Sequence, residues 1–472
     1  MKKNKTVMPV ISVLILCLLT ACTHFTENAP LHTYQPQSGY IYPAPVETEE
    51  QDKLYIALAF SGGGTRAAAF SYGVLKQLEE TRLPGQQDLT LLDEVDLISS
   101  VSGGSFTAAY YGLNHKKIFT DFESRFLNRD IQGELVRKLY NPVNWFKLAS
   151  PYYSRIDMAQ ELYDKTVFNG AVFKNLVQQG RHPFIALNAT NMTTGAQFTF
   201  TQPQFDLIGS DLEPLTVGRA VAASSAFPFL LSPVSLLNHP SPVHYELPRD
   251  VVNGLRDFGI NDRRYFWAKN RAEYQANKAA HPYLHLMDGG LSDNLGLRYI
   301  IDEYTRSSGL LFQRKAAMQH LVVIVVNAKT QPPESLDRQE KSPGLMDVAY
   351  KTATVSMDNY SFETVQVAKD LLTNSAKARK NIAACQKILD DQCGGHKIAQ
   401  TGHNFTVHFI ELNFLQIKDP ALRDRLLAMP TNFSLEPDQV QLLIKTGRKL
   451  LVESDDFKDL LQSLSKIRTE DR

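Results

Sequence analysis

The chain has 472 residues, of which 43% are hydrophobic and 21% charged, a size and composition that suit a large buried core and exclude a disordered chain. Lysine plus arginine and aspartate plus glutamate both number 50, so the formal net charge is zero and no global field draws in nucleic acid or an anionic surface. No basic run is dense enough to do so locally, which argues against nucleic acid as a partner.

At the N-terminus Lys2, Lys3 and Lys5 precede an apolar run from Val7 to Leu19, too short for a mature spanning helix and suited to a secretory signal. The run ends in "LTAC", Leu19 to Cys22, which resembles the lipobox of bacterial lipoproteins, where the cysteine thiol receives a diacylglyceryl group and becomes the first mature residue. That resemblance implies a signal over 1–21, lipidation at Cys22 and attachment to the bacterial envelope by lipid alone. Thr23 stands where an inner-membrane retention aspartate would, so the implied address is the periplasmic side of the outer membrane. An ordinary cleaved secretory signal is the alternative. Residues 22–53 are polar and carry Pro30, Pro36, Pro43 and Pro45, the composition of an extended tether, and folded structure is expected from Leu54.

Leu54 to Phe60 is short and apolar, as in a strand buried on both faces of a parallel sheet. Phe70, Val74 and Leu78 then recur at helical spacing. Between them lie Gly62, Gly63 and Gly64, a strand-to-helix turn whose backbone N–H groups, backed by the helix dipole, can meet an anion or oxyanion. A Walker A loop is excluded, because its lysine is missing. Gly62, Gly64 and Ala67 satisfy a loose dinucleotide pattern, with Asp88 or Asp93 at the distance of a ribose contact. A tight turn with no ligand, and an oxyanion hole served by a nucleophile elsewhere, remain beside it.

Further strands are predicted at Val95–Ser99, Phe184–Ala189, Gln197–Thr201, Tyr283–Met287, Leu321–Asn327 and Phe405–Leu412, with helical patterns between most of them, so the expected class is α/β around a mainly parallel sheet. The second strand enters "SVSGGS", whose small residues let the chain turn sharply and project the Ser102 hydroxyl, as in a nucleophile elbow with Ser100 in place of the first glycine. A serine needs a base within hydrogen-bond reach. "LHLMDGG" places Asp288 at the end of an apolar strand, where a carboxylate would emerge at the same carboxyl edge; a plain turn aspartate is the alternative. Past the polar stretch Lys329–Gly344, residues 331–472 read as a helical C-terminal region packed on the domain at 54–330. Cys385 and Cys393 invite a local disulfide in an oxidising compartment, with two unpaired thiols as the alternative, and no zinc site is expected.

"SGGGTR", "SVSGGS" and "DGG", in this order after strands, resemble the patatin-like phospholipases, and "AVAASSAFPFLLSPV" at Ala220–Val234 resembles that family's small-residue helix and apolar loop. The resemblance implies a three-layer fold with helices flanking the sheet, and a lipid or other acyl ester as substrate. It also implies a Ser102–Asp288 dyad, an oxyanion hole at Gly62, Gly63 and Gly64, and Arg66 as a loop brace or phosphate contact. Dyad chemistry calls for no cofactor, and no ligand-spaced carboxylate motif for calcium is visible. Ala226–Leu237 and the aromatic group Tyr140, Trp145, Phe146, Tyr152 and Tyr153 are candidate acyl-pocket walls, with core packing the alternative for most of them. Two rival readings stand. A Ser-Asp-His esterase would draw on His320, His396, His403 or His408, and a non-catalytic lipid-anchored binding or assembly protein would use the same fold without turnover.

Overall fold

The computed structural model describes residues 28–36, 38–42, 53–86, 88–178, 183–306, 309–315, 318–331, 340, 342–392 and 405–470. One eight-stranded sheet organises them: β1 (Leu54–Phe60), β2 (Val95–Val101), β3 (Phe184–Asn191), β4 (Gln197–Thr199), β5 (Val234–Leu237), β6 (Tyr283–Asp288), β7 (His320–Asn327) and β8 (Thr406–Asn413). The order is β5-β6-β3-β2-β1-β7-β8, with β4 beside β3. From β3 to β8 the neighbours are parallel. Their sequences explain this: "LYIALAF" and "HLVVIVVN" are apolar along nearly their whole length and buried on both faces by helices.

The crossover helices start at the carboxyl edge. They are α1 (Gly64–Glu80), after β1, and α2 (Gly103–Asn114), after β2. A helix of small residues, α3 (Val217–Ser224), packs beside α2, and the long α4 (Leu345–Gln392) passes the same edge. The last element pertinent to the site, α5 (Pro437–Glu453), lies on α1. That contact needs glycine on both sides: a Cβ on Gly73 would come within 2.3 Å of the Ile444 oxygen, and one on Gly447 within 2.5 Å of the Phe70 oxygen. Among the described residues, no helix is long and apolar enough to cross a membrane.

Three expectations need correction. Val234–Leu237, read as part of an apolar loop, is an edge strand; it is only four residues long and follows Pro228 and Pro233, so it lacks a periodic signal. β6 runs antiparallel to β3, not with the parallel set. Residues 28–42, assigned to a tether, are docked on the body where they are described. Asn28 bridges Ser210 and Leu237 through its amide. Tyr40 is buried, stacks on Phe184 with centroids 4.7 Å apart, and exchanges hydrogen bonds with both backbone groups of Ile185. Counting prolines missed the apolar area that tyrosines at positions 34, 40 and 42 contribute.

Candidate active site

Ser102 is the single residue between β2 and α2, and its backbone has φ 49° and ψ −118°. A side chain in this region is strained by about 1–3 kcal/mol, which persists only where the surroundings fix it. Here they do. The Ser102 N–H donates to Ser224 Oγ (2.9 Å), and the Ser224 hydroxyl donates to the Asn188 carbonyl (2.6 Å). Ser105 joins Ser224 at 3.0 Å and donates to Ser100 at 3.2 Å. Ser100 therefore occupies the elbow's first small position as part of a buried hydroxyl network. Gly103 and Gly104 are required by the neighbouring turn: a Cβ at Gly103 would stand 2.1 Å from the Gly64 oxygen, and one at Gly104 2.7 Å from the Ser61 oxygen.

Asp288 reaches Ser102 by register. Val101 pairs with Asn188 and Ala189 pairs with Asp288, so the residue after Val101 and the last residue of β6 stand at the same level on either side of β3. An antiparallel strand can end there because β6 overlaps only the last three residues of β3, Ala189 to Asn191. The Asp288 N–H is held by the Ala226 carbonyl (3.0 Å), and one carboxylate oxygen accepts the Gly290 N–H (2.7 Å). Burial raises the carboxyl pKa to about 7, against the opposing pull of hydrogen bonds from Gly290 and from Ser102. Such a group is a far better proton acceptor than an exposed aspartate, yet remains substantially ionised at neutral pH.

The three loop glycines differ in role. The Gly62 N–H is already donated to the Asn294 carbonyl (2.9 Å), which removes it from the expected set of oxyanion donors. The N–H groups of Gly63 and Gly64 meet no acceptor among the described residues, and these two residues have φ 137° and 61°. A Cβ built on Gly62 would lie 3.3 Å from Ser102 Cβ, so the loop runs directly against the nucleophile candidate. Arg66 takes the bracing position. It is buried, its Nε donates to the Ala328 carbonyl (2.9 Å), and its Nη1 donates to those of Met429 (2.9 Å) and Pro430 (2.8 Å). Beside it, the Thr65 N–H donates to the Asn432 carbonyl (2.9 Å).

Asn188, Asn294 and Ser224 are site residues that sequence reasoning missed. Asn294 Oδ1 lies where a Cβ on Gly62 or Gly290 would collide with it, at 2.3 and 2.7 Å. The signal was an asparagine in the middle of an apolar strand, "FIALNATN", and another just after "DGG". The histidines His320 and His408 stand at the other end of the sheet. His320 opens β7 opposite Leu54, and its Nδ1 is 3.1 Å from His408 Nε2. Burial, then the neighbouring His320, lowers the His408 pKa to about 4. His396, His403, Cys22 and Cys393 lie outside the described residues, while Cys385 is exposed on α4. Of the aromatic group, Tyr140, Phe146 and Tyr152 are not core: they are 72%, 84% and 71% exposed. Among the described residues no group of three or more His, Cys, Asp or Glu could hold a metal ion.

No curated protein matches the chain at a significant level of sequence similarity. Among solved structures, human GIVD cytosolic phospholipase A2 is similar with a TM-score of 0.42 and 12% identity, over 89% of this chain and 63% of that one. Its complex with methyl gamma-linolenyl fluorophosphonate gives 0.40 and 12%, over 89% and 60%. VipD from Legionella pneumophila gives 0.31 and 11%, over 93% and 71%. The chain thus spans 63% of the length of the human enzyme. Residues 58–301, more than half of the chain, match the family model for patatin-like phospholipase. This stretch includes the glycine loop, the strained serine and the buried aspartate, and the chain belongs to the patatin-like phospholipase family.

Proposed function

We propose that the protein is a lipid acyl hydrolase working through a Ser102–Asp288 dyad. The observation that carries this reading is a serine in a strained backbone that the sheet register sets beside a buried carboxylate raised to a pKa of about 7. Ser102 Oγ attacks the ester carbonyl while its proton passes to Asp288. The Gly63 and Gly64 N–H groups receive the charge that develops on the carbonyl oxygen. Asp288 then returns the proton to the departing alcohol; a water next gives its proton to the same carboxylate and attacks the acyl-serine, and Asp288 passes that proton to the Ser102 oxygen as the carboxylic acid leaves. A dyad is favoured over a triad because the Asp288 carboxylate is held by the Gly290 N–H and stands beside Ser102 by register, and the described candidate histidines sit at the start of β7 and in β8.

The experiment is turnover by the chain on a panel of phospholipids, lysophospholipids, neutral lipids and short esters, with product identification and labelling by an acyl-serine probe. Activity and labelling that both survive Ser102→Ala would overturn the reading. Lipid attachment at Cys22 belongs to the same proposal. Cys22→Ser should abolish labelling of the protein by a fatty-acid analogue, and labelling at the wild-type level would refute the anchor.

A further inference from the structure

Two stretches near the candidate site put large apolar side chains into solvent. One is 139–153, with the short helix Pro142–Leu148; the other is the loop 227–231, where Leu230 is 68% exposed. They are knitted into one face. Arg155 Nη1 donates to the Phe229 carbonyl (2.9 Å), the Ser232 hydroxyl donates to Ser154 Oγ (2.9 Å), and the Ile156 N–H donates to Ser232 Oγ (3.2 Å). The display is held in place. Trp145 Nε1 is anchored on the Leu139 carbonyl (2.9 Å) and Asn144 Nδ2 on that of Lys138 (2.7 Å). Phe229 has a φ of 70°, unusual for a bulky residue. The loop also borders the chemistry, because the Ala226 carbonyl immediately before it holds the Asp288 N–H.

The composition of this face selects its partner. Tyrosine and tryptophan, apolar with one polar end, favour the depth of lipid headgroups. From Leu139 to Tyr153 the only charged residue is Lys147, and the carboxylate that meets this stretch, Glu161, is paired with it (3.6 Å) and accepts the Tyr153 hydroxyl (2.8 Å), so it is partly neutralised towards lipid phosphates. Large apolar side chains displayed together in solvent in this way mark a contact surface, not a fold element. We infer that residues 139–153 and the 227–231 loop form the face that seats the protein on a phospholipid surface, so that an acyl ester enters beside Phe229 and Leu230 without leaving the lipid layer. The inference rests on the lipid acyl hydrolase reading and adds the orientation in which it works.

The chain carries two tryptophans, which supplies a reporter. In the full chain with Trp267→Phe, Trp145 is the single tryptophan. On vesicles of mixed phosphatidylethanolamine and phosphatidylglycerol its emission should shift to the blue and be quenched by brominated acyl chains. A control with Trp145→Phe, Trp267→Phe and Val452→Trp carries the reporter on α5 and should stay unquenched. Because quenching reads which face enters lipid, attachment through the N-terminus does not mimic it. Phe146→Ser with Tyr152→Ser should lower turnover of vesicle lipid at least about tenfold and leave that of a soluble short-chain ester unchanged. Trp145 emission indifferent to brominated lipid, whether or not the chain floats with the vesicles, overturns the proposal, as does equal quenching of the Val452→Trp control. Self-association through this face would appear as a blue shift without vesicles that dilution reverses, and would overturn it too. The two readings fail separately. Soluble-ester turnover that needs Ser102, with Trp145 unquenched, rejects the face alone; turnover indifferent to Ser102→Ala rejects the hydrolase.

Discussion

At Gly62–Gly64 the chain has given up its side chains, and every approach is occupied: an added Cβ would meet Asn294 at the first, Arg66 at the second and the Asn432 backbone at the third. At 139–153 it carries some of its largest side chains, and Tyr140, Phe146 and Tyr152 stand mostly in solvent. The contrast teaches that side-chain size is a poor guide to constraint. What fixes a segment is what an added or deleted atom would meet, and by that measure three glycines are held more tightly than the exposed rings of Tyr140, Phe146 and Tyr152.

The largest effect should come from the centre of the constrained region. Ser102→Ala should remove turnover and probe labelling together, and Asp288→Asn should cost at least about a hundredfold in kcat, since an amide accepts no proton. A folded Ser102→Ala variant that retains turnover would break the comparison outright. Next is the loop. Gly63→Ala puts a Cβ within 2.8 Å of Arg66 Nη2 at a φ of 137° and should turn the N–H away, with a loss of about 2.7–4 kcal/mol in transition-state stabilisation read from kcat. Arg66→Met leaves the Ala328, Met429 and Pro430 carbonyls without this donor, and should lower unfolding free energy by about 1–3 kcal/mol for each buried group left unpaired, measured by urea denaturation.

Proton linkage gives a subtler test. With Asp288 near 7 in the folded chain and about 3.9 in the unfolded chain, the folded state keeps a proton that the unfolded state has lost. Its stabilising contribution is full below about pH 4 and declines as pH rises to about 7. Activity should run the other way, with kcat/KM falling as pH drops below about 7 because a protonated carboxyl is no base. Asp288→Asn should flatten the first dependence, as checked by melting temperature across that range. The smallest effect belongs to the aromatic face, where Phe146→Ser should alter folding stability by no more than about 0.5 kcal/mol.

What was legible in the sequence was local. β1, the glycine run, the turn around Ser102 and the "DGG" after β6 each declare a strand or a tight turn within a few residues, because glycine, serine and aspartate supply the sharp turns that end strands. The antiparallel direction of β6 was not legible, since a strand's sequence carries no mark of which way its neighbour runs. Nor was the division of labour among the glycines, which depends on the carbonyl of Asn294 more than two hundred residues away. Tyr140 to Tyr153 misled for another reason: burial is decided by what packs on a side chain, and hydrophobicity states only the preference. Where the structure describes 28–42, tyrosines outweighed prolines for the same cause.

The Arg66 brace has a consequence in time. Its guanidinium closes on carbonyls 363 and 364 residues later, at Met429 and Pro430. During synthesis the glycine turn and the turn at Ser102 are made well before the far side of that clamp leaves the ribosome. Contacts this distant in sequence form slowly, because a long loop must close before any of them is rewarded. The glycine turn therefore waits for residues 429–432 to complete it, and a nascent chain holds its serine and aspartate before it holds a finished glycine turn.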